Sequence, residues 1–190
     1  MSKALNLFKC HTNGTNGTNG TNGTSGRTAW NSPLSLLLPL LLTLSAGASA
    51  QLMSHKDLSA NMAITIAQTA INTCKANGYS VSATVVGRSG EILVQVRGDN
   101  TGPHTFENSF RKAYTARTFK VASGEIVNRL KADPAFALIH LEHVIANQGG
   151  LPIKVNDDVI GGVGVSGAPG GDKDEACVKA GLDQVADQLK

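Results

Sequence analysis

No apolar run in this chain is long enough to cross a bilayer. The longest, LSLLLPLLLTL at residues 34–44, falls short of the roughly 20 residues that a membrane helix needs. There is no G-x-S-x-G elbow, no compact C-x-x-C knuckle and no H-E-x-x-H. Serine-hydrolase elbow chemistry, a zinc knuckle and zinc-hydrolase chemistry therefore have no residues to rest on. No paired catalytic carboxylates and no Cys-His dyad can be assigned, and neither Cys74 nor Cys177 has an evident activating neighbour.

Net charge is also lacking where it would matter. The chain holds 17 Lys and Arg against 14 Asp and Glu, but Lys3, Lys9 and Arg27 all lie in the first 50 residues, which contain no acid. Residues 51–190 are then neutral, and the pI near 8.8 belongs to the leader. A neutral domain has no electrostatic reason to bind nucleic acid or an anionic membrane.

What is present begins with that leader. Residues 1–33 include HTNGTNGTNGTNGTSG, a tandem Asn-Gly-Thr repeat. Such a composition cannot build a core and predicts a disordered low-complexity segment. Residues 34–50 follow, an apolar core ending in Ala48-Ser49-Ala50. That is the pattern of a secretory signal peptide cleaved after Ala50. A buried helix would show an amphipathic period, and none is present. The expected product is secreted or periplasmic, with no stable membrane span after cleavage. The Asn13, Asn16, Asn19 and Asn22 sequons would leave with the leader, whose length also fits a misassigned translation start. Residues 51–190 form one domain, long enough for its own core. Cys74 and Cys177 either pair as a disulfide or remain two buried thiols.

Periodicity orders the domain. Leu58, Met62, Ile66, Ala70, Ile71 and Cys74 recur at a helical spacing that stops at Asn77-Gly78. Val81–Val86 and Ile92–Val96, joined by Arg88-Ser89-Gly90, predict an antiparallel hairpin. GDNTGPHT reads as a loop. Phe106, Phe110, Ala113 and Tyr114 then share one face of a helix, with Tyr114 expected in the core. Ser123 can N-cap the short GEIVNRL helix. Asp133-Pro134 predicts the start of a helix over AFALIHLEHVI, ended by Asn147-Gln148-Gly149-Gly150. Pro152–Val155 and Val159–Val165 form a second hairpin, and a last helix starts at Asp172 or Asp174. Helices and hairpins in this order predict an α+β domain with one antiparallel sheet.

The second hairpin contains G-x-G-x-x-G at Gly162-Val163-Gly164-Val165-Ser166-Gly167. A dinucleotide fingerprint needs its glycines at a strand-to-helix turn, followed by another parallel strand. Here the glycines lie within a strand, and one helix alone follows. Glycine inside a strand marks a place of close approach, by a helix, a neighbouring subunit or a flat ligand.

The stretch GGLPIKVNDDVIGGVGVSGAPGGDKDEACVKAGL (149–182) resembles the signature of the GlcG/HbpS-like family of haem-binding proteins. VSATVVGRSGEILVQVRGDNTGPHTFENSFRKAYTARTF (81–119) resembles its other hallmark. The resemblance implies a profilin-like three-layer α/β/α sandwich around an antiparallel sheet. It also implies homo-oligomers, haem as the bound cofactor, and a sensor protein as a partner. The function implied is an exported haem- or tetrapyrrole-binding protein for haem sensing, storage or detoxification. The alternative is an enzyme or accessory factor acting on haem or on a small oxidised metabolite, as in glycolate utilisation. One departure stands out. The family commonly carries an acid after its first strand, in V-V-D-x-x-G, where this chain has Gly87. A free-metal site at that position is put in doubt.

A haem site needs an axial donor, an apolar slot and cations for the propionates. His104, in the GPHTF loop beside Phe106, is the first candidate for the iron ligand. His140 and His143 lie three apart on the helix expected over 135–145, and His143 is the second candidate. Arg97, Arg111, Lys112 and Arg117 flank the His104 loop as candidate propionate partners.

Overall fold

The structure, a computed structural model, describes residues 51–190. The low-complexity leader, its sequons and the signal-peptide core lie outside the described residues. No helix among the described residues is long and apolar enough to cross a membrane.

Four helices and four strands follow in the order α1 (Ala60–Ala76), β1 (Ser82–Val86), β2 (Ile92–Arg97), α2 (His104–Phe119), α3 (Ser123–Ala132), β3 (Gly150–Val155), β4 (Asp158–Ser166) and α4 (Gly171–Asp183). The sheet is antiparallel throughout, with strand order β2-β1-β4-β3. Helices cover both faces, so the α+β sandwich expected from the sequence is the observed fold.

The two faces differ in chemistry because strand side chains alternate. One face carries Ala83, Val85, Val163 and Val165, which form the apolar core with Ile66, Ala67 and Ala70 of α1 and Val178 of α4. Ser59 caps α1, its hydroxyl accepting from the Met62 amide. The Cys74–Cys177 disulfide joins α1 to α4 across a Cα separation of 5.6 Å.

The other face carries Ser82, Thr84, Gly162, Gly164 and Ser166, and α2 lies on it. A Cβ on Gly162 or Gly164 would overlap the α2 backbone at the Ala113 and Ser109 carbonyls. The glycine motif is therefore a seat for a helix, one of the three occupants left open by the sequence. Hydroxyls then bridge the narrow gap. Ser82 Oγ lies 2.8 Å from Thr105 Oγ1, and Thr84 Oγ1 lies 2.7 Å from Ser109 Oγ. Gln95 of β2 donates to Thr84 Oγ1 and to the Phe106 carbonyl.

This seating corrects the expected helix face. The buried residues of α2 are Thr105, Ser109, Lys112, Ala113, Thr115 and Ala116. Phe106, Phe110 and Tyr114 are only part-buried, on the flank of the helix.

The segment after α3 is a second correction. Residues 135–145 do not form the expected helix. Only a short 3-10 turn, Ala137–His140, appears there. The chain then crosses α2 as a strap. Arg111 Nη2 donates to the Val144 carbonyl at 2.8 Å, and the Ile145 amide donates to Thr115 Oγ1 at 2.9 Å. These bonds to α2 satisfy strap groups that a helix would have satisfied internally. Ser123 also has another role. It is the first residue of α3 instead of its cap, and its hydroxyl donates to the Asn147 carbonyl and accepts from the Gly150 amide.

Candidate functional site

His104 opens α2 where the sequence suggested a loop, with Pro103 before it in helical backbone geometry. Its imidazole is exposed. Gly102 leaves it room, since a Cβ there would stand 2.8 Å from the ring Cε1. No carboxylate among the described residues pairs with it, whereas His55 pairs with Asp57 and His143 with Glu142.

Two cavities meet at His104. The larger, about 560 Å³, lies between the start of α2, residues 78–80, Asn147 and the 166–171 loop. The smaller, about 320 Å³, is a depression lined by His104, Glu107, Asn108 and Arg111 along one stripe of α2. Arg111 is thus brought to His104, two helical turns away, and its guanidinium also holds the strap. Arg97 reaches the same end of α2 from β2, with its guanidinium 4.9 Å from the Phe106 ring centroid.

Lys112 lies off this stripe, and it lines the larger cavity together with Asp174. It is buried beneath α2. Its ammonium donates to Asp174 Oδ2 at 2.7 Å and to the Val165 carbonyl at 3.0 Å. Asp174 Oδ1 accepts from the Ala168 amide at 3.0 Å. Burial pulls the Lys112 pKa below the usual lysine value, and the charge of Asp174 opposes the shift. Burial likewise pushes the Asp174 carboxyl up, against Lys112 and the Ala168 amide. Sequence reasoning missed Asp174, which read as one more acid at a helix start. Its partner is 62 residues away, and no local pattern joins them.

His143 is not brought to His104 by a helix. It sits on the strap in left-handed backbone geometry, φ 66°. Its ring meets Phe110 and Tyr114 edge-on, with centroids 5.0 and 5.5 Å away. The pairing of His140 with His143 at helical spacing does not exist. Among the described residues no group of three His, Cys, Asp or Glu could hold a metal ion.

Gly87 also has an explanation. The space a side chain there would take is filled by the Glu91 carboxylate, which accepts from the Ser89 amide at 2.8 Å. An acid from across the hairpin occupies the place of the missing one.

Residues 58–183 match the model of a family described as haem degrading protein HbpS-like. The chain belongs to the HbpS-like family. The crystal structure of HbpS superposes on it with a TM-score of 0.68 at 33% identity, over 71% of this chain and 94% of that one. A crystal structure of a PduOC–haem complex gives a TM-score of 0.61 over 66% of this chain and 93% of that one. At 22% identity, that likeness speaks to the fold alone. A 15.0 kDa protein from the dhaT-dhaS intergenic region of Citrobacter freundii is 32% identical over 87 residues, 44% of this chain. This HbpS-like chain spans only 61% of the length of that curated relative.

The residues at His104 supply two of the three parts of a haem site, an axial donor and cations, while both cavities are lined mainly by polar residues and glycines. One imidazole stands unpaired by any acid at the mouth of two cavities, Arg111 lines one of them, and Arg97 lies at the same helix end. The Phe106 ring carries the Arg97 guanidinium on its face and lines neither cavity.

Proposed function

We propose that this protein binds haem or a related tetrapyrrole, with His104 as the iron ligand and Arg111 and Arg97 as propionate partners. The observation that carries this reading is the position of His104, exposed at the junction of two cavities with Arg111 on the same helical stripe. The family description names haem, and a haem complex shares the fold. A bound haem iron would supply ligand-binding and redox chemistry. His104 holds the metal, and the guanidinium groups orient the macrocycle through its carboxylates.

The protein acts after export, as a homo-oligomer, in haem sensing, storage or detoxification, with a sensor protein as one partner. The apolar run before Ala48-Ser49-Ala50 supports export. So does the Cys74–Cys177 disulfide, a bond that persists in oxidising compartments. The family description favours one second reading, that the protein degrades haem.

A visible-absorption haem titration of the purified protein tests the binding, with His104→Ala beside it. The expected result is a saturable Soret band whose affinity falls about tenfold or more in the variant, a loss of at least about 1.4 kcal/mol. Unchanged affinity moves the ligand to His143, and absence of saturable binding ends the haem reading. Loss of the Soret band with time, only when reductant and oxygen are added, would select degradation.

A further inference from the structure

We propose that the larger cavity beside His104 binds a small monocarboxylate, one oxygen of which accepts from the Lys112 ammonium. This site goes beyond the haem reading and does not depend on it.

Lys112 carries the inference. It is 2% exposed, yet it lines the cavity together with Asp174. An ammonium has three N–H bonds to place. Two acceptors serve it among the described residues, Asp174 Oδ2 and the Val165 carbonyl. A buried N–H left without an acceptor is costly.

The rest of the wall selects the ligand. Among the described residues Asp174 is the only carboxylate lining the cavity, and each of its oxygens already accepts a hydrogen bond, from Lys112 and from the Ala168 amide. The other polar side chains are neutral apart from His104 at the mouth. Asn108 gives one N–H to Ser166 Oγ and retains a second, and Asn147 also lines the cavity. Among the described residues no guanidinium lines it. The Lys112 ammonium has one N–H left beside Asp174 and the other residues around it are neutral, so the wall offers a hydrogen bond to one carboxylate and no second cation. A dianion would lack partners. The volume of about 560 Å³ is of the size that holds small organic ligands.

The test is an NMR titration of the isotope-labelled, haem-free protein with acetate, benzoate and inorganic phosphate. Saturable shifts at Lys112, Asn147 and residues 167–174 with a carboxylate are expected. In Lys112→Met/Asp174→Leu, which replaces the ion pair by an apolar one, the affinity should fall at least about tenfold. No saturable shift with either carboxylate, or shifts confined to other surfaces, would overturn the proposal. Equal binding of phosphate at the same residues would overturn the choice of a carboxylate. If the double variant does not fold, the wild-type shift map decides. A failed haem titration leaves all these outcomes unchanged.

Discussion

Lys112 Nζ lies 2.7 Å from Asp174 Oδ2, and the two side chains are 2% and 4% exposed. Two charges removed from water in this way attract strongly but lose their hydration, and the losses rival the gain. Removing one partner leaves the other bare. Lys112→Met should therefore destabilise the fold by about 3–5 kcal/mol. The double variant with Asp174→Leu should recover most of that loss. Urea denaturation of wild type, single and double variants measures both. A double variant no better than the single would mean that the pair holds the 166–171 loop by geometry that leucine and methionine cannot replace.

Gly164 should tolerate no side chain. Its missing Cβ is the space occupied by the α2 backbone at Ser109 and Ala113. Valine there would push α2 off the sheet and break the Thr84–Ser109 and Ser82–Thr105 contacts. The expected cost of Gly164→Val is about 3 kcal/mol or more, the upper end of overpacking effects. Thermal melts followed by circular dichroism would show it, and a melting temperature equal to wild type would contradict the seating of α2.

The Cys74–Cys177 bond closes a separation of 103 residues between α1 and α4. A crosslink over such a distance restricts the unfolded chain strongly. Replacing both cysteines with alanine should cost about 2–5 kcal/mol in denaturant, with the native fold retained because both positions lie in an apolar core. Equal stability with and without reductant in the wild type would count against the bond.

Asp158 gives a pH dependence with a definite sign. Arg88 donates to both its oxygens, at 3.0 and 2.8 Å, and to Asp57, tying the β3–β4 turn to the segment before α1. The hydrogen bond from Arg88 holds the Asp158 pKa below the usual carboxylate value. Its stabilisation is thus fully present above the unfolded pKa of about 4 and is lost as pH falls through the lower folded value. Asp158→Asn should melt below wild type at pH 7, and the gap should close as the pH falls below about 4. A gap that stays constant down to pH 2 would remove Asp158 as its source.

Much of this molecule was legible before folding. The helical period from Leu58 to Cys74 and the two hairpins are local patterns, fixed by side chains a few residues apart. They named the α+β class, and the family resemblance supplied the layers. The histidine at the cavity mouth was also legible, because a His between Pro103 and a helix start is conspicuous. The strap was not. Residues 135–145 have helical composition and a good cap at Asp133-Pro134, but their backbone groups find partners on α2, at Arg111 and Thr115. Those partners exist only once α2 is seated.

The division follows the range of the forces. Local propensity and alternation, written in neighbouring residues, determined α1, the two hairpins and the last helix. Tertiary structure alone decided which face of α2 is buried, since Gly162, Gly164 and a row of hydroxyls, not the aromatic stripe, allow the closest approach. It also decided the fate of Lys112. In the sequence that residue stands next to Arg111 like any surface cation. In the fold it lies under the helix, where burial is tolerated because Asp174 arrives from the far end of the chain to meet it.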